Sequence, residues 1–352
     1  MLQRQKLKRE KILLIRTDRI GDLILTTPAI KAVRCAYPGA HIAMIVRPYT
    51  QDIVRENPFL DEIIVYDKLS KHRSWLAGFR FAMELKRKGF GMALIFNPTN
   101  RMHITAFLAG IPRRIGYDNK LRFLLTNAVK NTKHLGLKHE RDYAIDMLKA
   151  VGIYSDEKEL CFNVNGFSGE RAREALLAEG INDKDRFVVI HPGASCPSKI
   201  WPAERFAGLA DALVRSYGVK VVIVSGAAAA DSACALSVQR FMQYTPVLFA
   251  GSLDIGCLAA LIKKSVLFIS NDSGPVHIAV AVGTPVVDIF GRSQSGLGPL
   301  RWGPLGPRDI VMHKDAGCGQ ACLAHDCKRN FACLLSVSVD DVFKAIASAG
   351  LL

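Results

Sequence analysis

Asn271, Asp272, Ser273 and Gly274 stand between an apolar run over residues 266–270 and a proline, Pro275, that suits the first turn of a helix. A turn built this way brings free backbone N–H groups and the positive end of a helix dipole to the end of a strand. That makes it a seat for an anion, most naturally a phosphate or diphosphate. The same residues also suit a plain N-cap, with Asp272 or Ser273 satisfying orphan amides. A second stretch, HPGASCPSKIWPAERF from His191, begins where another apolar run ends, and Pro202 again marks a first helical turn. The Ser195 hydroxyl, the nearby amides and the Lys199 ammonium are expected to converge on the same end of the sheet as Asp272. A lysine there could stabilise a diphosphate as it departs. His191, at a strand end, suits a hydrogen bond to a neighbouring loop. A third stretch, RTDRIGDLILTTPAI, sets Asp22 after Gly21 in a turn that follows a short strand.

The elements that must position these residues can be read from the spacing. Residues 11–16 form a strand, a turn surrounds Gly21 and Asp22, a helix runs until Tyr37-Pro38-Gly39 stops it, and residues 40–46 give the next strand. The second half repeats the plan, with a strand at 187–190, a helix over 202–217, a strand at 219–224 and a turn at Ser225-Gly226. Strands alternating with helices across short turns predict an α/β fold, a doubly wound parallel sheet in each half, with ligands at the carboxyl ends of the strands. A polar segment over 154–167 marks the junction and predicts domains at 1–160 and 161–352.

The 352 residues, 49% hydrophobic and 22% charged, are enough for two well-filled cores. The first eleven residues are basic, but only residues 12–15 behind them are continuously apolar, too few for a signal-peptide core, and nothing reaches the length of a membrane span. The nine cysteines are therefore expected to stay reduced in a cytosol. Charge is uneven: up to Asn165 there are 29 Lys and Arg against 16 Asp and Glu, net +13, whereas the remainder holds 18 against 16, net +2. The first half is expected to meet something anionic, whether nucleic acid, a phosphorylated substrate or an acidic membrane surface.

RTDRIGDLILTTPAI, HPGAS…SKIWPAERFAGLA, AGSLDIGCLAALI and SNDSGPVHIAVAVGTPVVDIFG, in that order, resemble the heptosyltransferases of lipopolysaccharide core synthesis, glycosyltransferase family 9, over nearly the whole chain. The resemblance implies two Rossmann-like domains facing a central cleft, the GT-B arrangement. It also implies a metal-independent, inverting transfer of heptose from ADP-heptose to an anionic, phosphorylated lipopolysaccharide inner-core acceptor, with no cofactor. By motif position Asp22 would be the general base, with Asp18 the rival carboxylate that fits the motif less well. Lys199 would neutralise the leaving ADP. The donor would be held by Ser195, Asp272, Ser273, Gly274 and His277, with Asp272 on heptose hydroxyls and Ser273 and Gly274 on the diphosphate. The basic first half would then bind the acceptor, with Arg113 and Arg114 bordering the cleft. The enzyme would be cytoplasmic, in peripheral contact with the inner membrane surface.

The turn after residue 224, SGAAAADSACA, departs from the more acidic or polar segment of many relatives, and Asp231 is the residue that would substitute near the adenosine. The pair Asp183 and Asp185 lies in a linker and reads as chance, and Gly296-Leu297-Gly298 has neither the strand nor the helix of a dinucleotide fingerprint. Cys318, Cys322, Cys327 and Cys333, with His325 among them, invite a zinc reading, but spacings of four, five and six do not match two-residue knuckles, and packed or surface thiols are expected. Two other functions stay open, a family relative using another nucleotide sugar or acceptor and a nucleic-acid-binding protein. Against the second, the basic residues are scattered rather than set along one aromatic-interleaved stripe, so no nucleic-acid partner is expected.

Overall fold

The computed structural model describes residues 10–319 and 322–352. Most of the basic amino-terminal run lies outside the described residues. Two compact units divide the chain: Met1–Thr132 with Arg141–Cys161, and Lys133–Glu140 with Phe162–Leu352.

Six strands build the first unit: β1 Lys11–Ile15, β2 His41–Val46, β3 Glu62–Val65, β4 Met92–Ile95, β5 Arg113–Tyr117 and β6 Asn127–Val129. They lie in the order β3-β2-β1-β4-β5-β6, all parallel. β1, β2 and β4 are buried almost end to end, as strands covered by helices on both faces must be, which explains why they read as unbroken apolar runs. The predicted first helix is two pieces, Ile20–Ile24 and Thr27–Ala36, the second opening with Pro28 in its first turn.

The second unit repeats this topology with β7 Phe187–His191, β8 Lys220–Ser225, β9 Val247–Ala250, β10 Leu267–Asn271, β11 Val286–Phe290 and β12 Ile310–His313, again all parallel, in the order β12-β11-β10-β7-β8-β9. In both sheets the direction of winding reverses between the first and fourth strand, β1 beside β4 and β7 beside β10. Crevices for ligands open at such switch points, outside the carboxyl ends of the strands. Trp201, fully buried, packs edge-on against Phe206 at 5.0 Å, and its indole N–H donates to the Val337 carbonyl at 2.9 Å, tying the loop after β7 to the core.

The junction differs from the sequence-based boundary in one segment. Lys133–Glu140, placed by sequence in the first domain, packs with the second unit. There the buried Glu140 carboxylate pairs with Lys133 and with the Arg301 guanidinium at 2.8 Å, and the His139 ring bonds the Gly303 carbonyl at 2.9 Å. Among the described residues no helix is long and apolar enough to cross a membrane.

Candidate active-site residues at two switch points

In the first unit, Arg16 follows β1 directly and is 2% exposed. Its Nη1 donates to the carbonyl of Phe96, the residue after β4, at 3.0 Å, so the guanidinium is planted at the switch point. From there Nη2 reaches Asp22 Oδ1 at 2.6 Å and Nε reaches Asp18 Oδ1 at 2.8 Å. A buried guanidinium holding two carboxylates is an orienting device: a planar fork fixes each oxygen in direction as well as distance. Asp22 stands in the first turn of the helix Ile20–Ile24, and the Thr26 hydroxyl donates to its carbonyl at 2.8 Å. Its second oxygen, Oδ2, accepts from no described residue. Arg16 escapes sequence reading because an arginine at a strand end looks like a surface charge.

Arg113 and Arg114 require a correction. They open β5, and their register partners Met92 and Ala93 open β4, whereas Asp22 follows the end of β1. In a parallel sheet all strand starts share one edge, so both arginines lie at the edge opposite Asp22 and do not border that site. Arg113 approaches Glu10 at 3.6 Å, and Arg114 donates to the Leu124 carbonyl at 2.6 Å and to that of Ile111. These contacts staple the far edge of the sheet.

In the second unit the loops after β7 and β10 meet at the switch point. Asn271, fully buried at the end of β10, binds both: its Oδ1 accepts from the Trp201 N–H at 3.0 Å and its Nδ2 donates to the Pro192 carbonyl at 2.7 Å. This clamp fixes the short turn Pro197–Lys199 so that Lys199 Nζ lies 3.0 Å from Asp272 Oδ2 and 3.2 Å from its carbonyl oxygen. Arg292, 5% exposed, pairs with the same Oδ2. It does so from the left-handed backbone region, φ 53°, a conformation that costs a side-chain-bearing residue free energy. Asp272 is thus the shared counter-ion of two cations.

The helix Gly274–Val282 starts here, with Pro275 in its first turn and Ser273 at the N-cap position. Neither capping expectation is met, because no side chain accepts from the first amides. The Ser273 hydroxyl bonds Ser270 Oγ at 2.9 Å and His191 Nδ1 at 3.3 Å instead. The buried His191 and Ser270, bonded to the half-buried Ser273, thereby support the turn from beneath while the helix start keeps its donors for an anion. Ser195, by contrast, is exposed on its loop and touches none of this cluster.

Burial sets the protonation of the neighbours. It lowers His191 to about 4 and His277 to about 3, the latter helped by the nearby charges of His139 and Lys199, so both imidazoles are neutral at physiological pH. Burial pushes Asp288, fully enclosed on β11, well above the ordinary carboxylate range, and the charge of nearby Asp272 adds to the rise. A folded-state histidine pKa below the unfolded value of about 6.5 means that the unfolded chain takes up the proton first, so stability falls as pH drops through 6.5. For His277 the loss between pH 7 and pH 5 is expected to reach about 2 kcal/mol. Urea unfolding of the parent and of His277→Gln at the two pH values should differ by that amount, the parent being the more acid-sensitive.

Asp231 is placed beside the same loops. A Cβ on Gly193, in the loop after β7, would meet Asp231 Oδ1 at 2.8 Å, and one on Gly226, after β8, would meet Oδ2 at 2.9 Å. Two glycines therefore let one carboxylate sit between two strand ends, and partial burial raises its pKa. Asp183 and Asp185 form surface pairs with Lys264 and Lys220, at 2.9 and 2.8 Å. The four carboxyl-terminal cysteines are unpaired, and among the described residues no three His, Cys, Asp or Glu gather at metal-binding distance. His325 bonds Ser198 Oγ at 3.1 Å, so this segment backs the loop that carries Lys199.

Two doubly wound units, each with a polar cluster at its switch point, define a two-domain α/β glycosyltransferase fold. A solved glycosyltransferase of family 9 from Veillonella parvula matches it with a TM-score of 0.86 at 28% identity over 97% of both chains. The structure of Escherichia coli ADP-heptose lipopolysaccharide heptosyltransferase II matches with a TM-score of 0.78 at 20% identity, over 96% of this chain and 98% of that one. The sequence pattern of glycosyltransferase family 9 (heptosyltransferase) matches residues 79–330, and the chain belongs to that family. Among curated relatives, lipopolysaccharide heptosyltransferase 3 of Escherichia coli K12 is 27% identical over 92% of this chain and 94% of its own length.

Proposed function

We propose that the protein is an inverting, metal-independent heptosyltransferase that moves heptose from ADP-heptose to a phosphorylated inner-core acceptor of lipopolysaccharide, working in peripheral contact with the cytoplasmic face of the inner membrane. The observation that carries the donor half is the uncapped helix start at Gly274 beside Lys199, Asp272 and Arg292: open amides plus two cations suit a diphosphate, and the carboxylate suits sugar hydroxyls. Asp22, oriented by Arg16 with Oδ2 open, takes the proton from the acceptor hydroxyl as its oxygen bonds to the anomeric carbon. The bond from that carbon to the diphosphate oxygen breaks, and ADP leaves with the electron pair while Lys199 offsets the growing charge. His277, neutral and buried on the first turn of this helix, offers a ring hydrogen bond rather than charge. Asp231 is the acceptor for ribose hydroxyls, as acidic residues beyond the second strand are in dinucleotide folds.

Calorimetric titration with ADP, UDP and GDP tests the donor assignment: ADP binding tightest supports it, and a preference for UDP or GDP removes it. Asp231→Ala is expected to raise the donor KM about 10-fold with little change in kcat, because a hydrogen bond to a charged group is worth about 1.5–3 kcal/mol and this one is made equally in ground and transition states. The first half, at net +13, carries the acceptor. Raising salt, which screens exposed charges beyond about 10 Å at 0.1 M, should therefore raise the acceptor KM more than the donor KM in steady-state assays.

A further inference from the structure

The segment from Lys68 to Arg80 on the first unit is not absorbed by either polar cluster. It carries four basic residues, Lys68, Lys71, Arg73 and Arg80, and no acidic one. None of the four forms an ion pair among the described residues. Interleaved with them are the most exposed large apolar side chains of this region: Trp75 is 83% exposed, Leu69 69%, Leu76 44% and Phe79 41%. Scattered exposed apolar residues are ordinary, but these are not scattered. Trp75, Leu76 and Phe79 occupy adjoining positions on the first turns of the helix Trp75–Lys88, whose other face, Phe81, Ala82 and Leu85, is the one buried against the sheet.

The platform is rigid. Ser74 caps the helix by accepting from the Ala77 N–H at 3.1 Å, and Asp67 Oδ1 accepts from the Leu69 and Ser70 amides at 3.0 Å each. His72, buried and stacked on Tyr66 at 4.9 Å, accepts the Asp67 N–H at 3.0 Å, and Arg101 donates to the Arg73 carbonyl at 2.9 Å. A chain that spends this many contacts on presenting Trp75 outward gives it a preorganised surface.

We infer that this face docks on a bilayer of anionic phospholipid, with Trp75, Leu76 and Phe79 entering the headgroup boundary and the four basic residues pairing with lipid phosphates. The combination is what interfacial binding needs: one apolar anchor or one basic cluster alone gives marginal attachment, and the two together hold. A polyanion such as nucleic acid would use the charge but gain nothing from Leu69 or Leu76. The inference rests on the reading of a lipid-borne acceptor and names the surface that would bring the enzyme to it.

The test titrates the whole protein with vesicles of phosphatidylcholine alone or mixed with phosphatidylglycerol, and so needs neither donor nor acceptor. Of the three tryptophans, Trp201 is fully buried and Trp302 partly so, and a blue shift on vesicle addition therefore reports Trp75. Binding to phosphatidylglycerol vesicles is expected to be at least ~10-fold tighter than to phosphatidylcholine alone. L76S/F79S should weaken it by ~10-fold or more, and K71E/R80E should abolish the preference for the anionic lipid, with both variants keeping the parent's thermal melt and its turnover on a lipid-free acceptor. The inference is overturned by an absent blue shift, by vesicle binding that L76S/F79S leaves unchanged, by a solution dimer that covers this face, or by DNA binding that depends on the same four basic residues more strongly than lipid binding does.

Discussion

Asp22→Asn is expected to lower kcat by roughly 100-fold or more while the donor KM stays near the parent value. Asparagine keeps the size of the side chain and can still accept a hydrogen bond from Arg16, so the packing around the switch point of the first sheet survives. What it loses is the ability to take a proton. General-base catalysis contributes about 10²–10⁴ in rate, which sets the scale of the loss. Steady-state kinetics of the purified variant decide the matter, and a kcat within about threefold of the parent would take Asp22 out of the mechanism. Arg16→Lys refines the same point: a lysine keeps the charge but cannot hold Asp22, Asp18 and the Phe96 carbonyl at once, so a fall in kcat without a matching fall in stability would identify orientation as its contribution.

Lys199→Ala is the second large effect. It should raise the donor KM and lower kcat together, with a combined loss in kcat/KM of about 10²–10³, because an ammonium beside a departing diphosphate is worth more in the transition state than in the bound ground state. The structure argues that this variant still folds. Removing one partner of a buried ion pair is costly when it strands the other charge, but Asp272 keeps Arg292 on the same oxygen. A thermal melt close to the parent's together with a defect in ADP affinity is therefore the expected pattern. A variant that matches the parent with ADP-heptose would contradict the diphosphate assignment.

The sheets were legible in the sequence because strands buried on both faces read as near-continuous apolar runs, as residues 12–15 of β1, 42–46 of β2 and 187–190 of β7 do. Two helix starts were legible because Pro202 and Pro275 stand at the beginning of the helices Ala203–Tyr217 and Gly274–Val282, whereas the turn expected around Gly21 is the short helix Ile20–Ile24. Four features were not. Arg16 and Asn271 are placed by partners some 80 residues away, Phe96 and Pro192, and no local pattern announces such a pairing. Arg292 adopts a backbone conformation usually left to glycine, for which an arginine codon gives no hint. Lys133–Glu140 reads as an ordinary link after β6 and joins the second unit through distant partners, Arg301 for Glu140, Gly303 for His139 and Ser295 for the Leu135 carbonyl. Arg113 and Arg114 show the reverse error: charge drew attention to them, but strand direction, which the sequence implies through the parallel fold, puts them at the wrong edge.

The central claim is that this chain transfers a heptosyl group with inversion, with the switch point of the first sheet taking the proton and that of the second holding the leaving group. The most direct measurement combines the protein with ADP-heptose and truncated phosphorylated core oligosaccharides, weighs the product and determines its anomeric configuration by magnetic resonance. The account predicts a mass gain of one heptose, one ADP released per product and an anomeric configuration opposite to that of the donor. A retained configuration, release of free heptose without transfer, or a mass gain only with a sugar carried on a different nucleotide would contradict it.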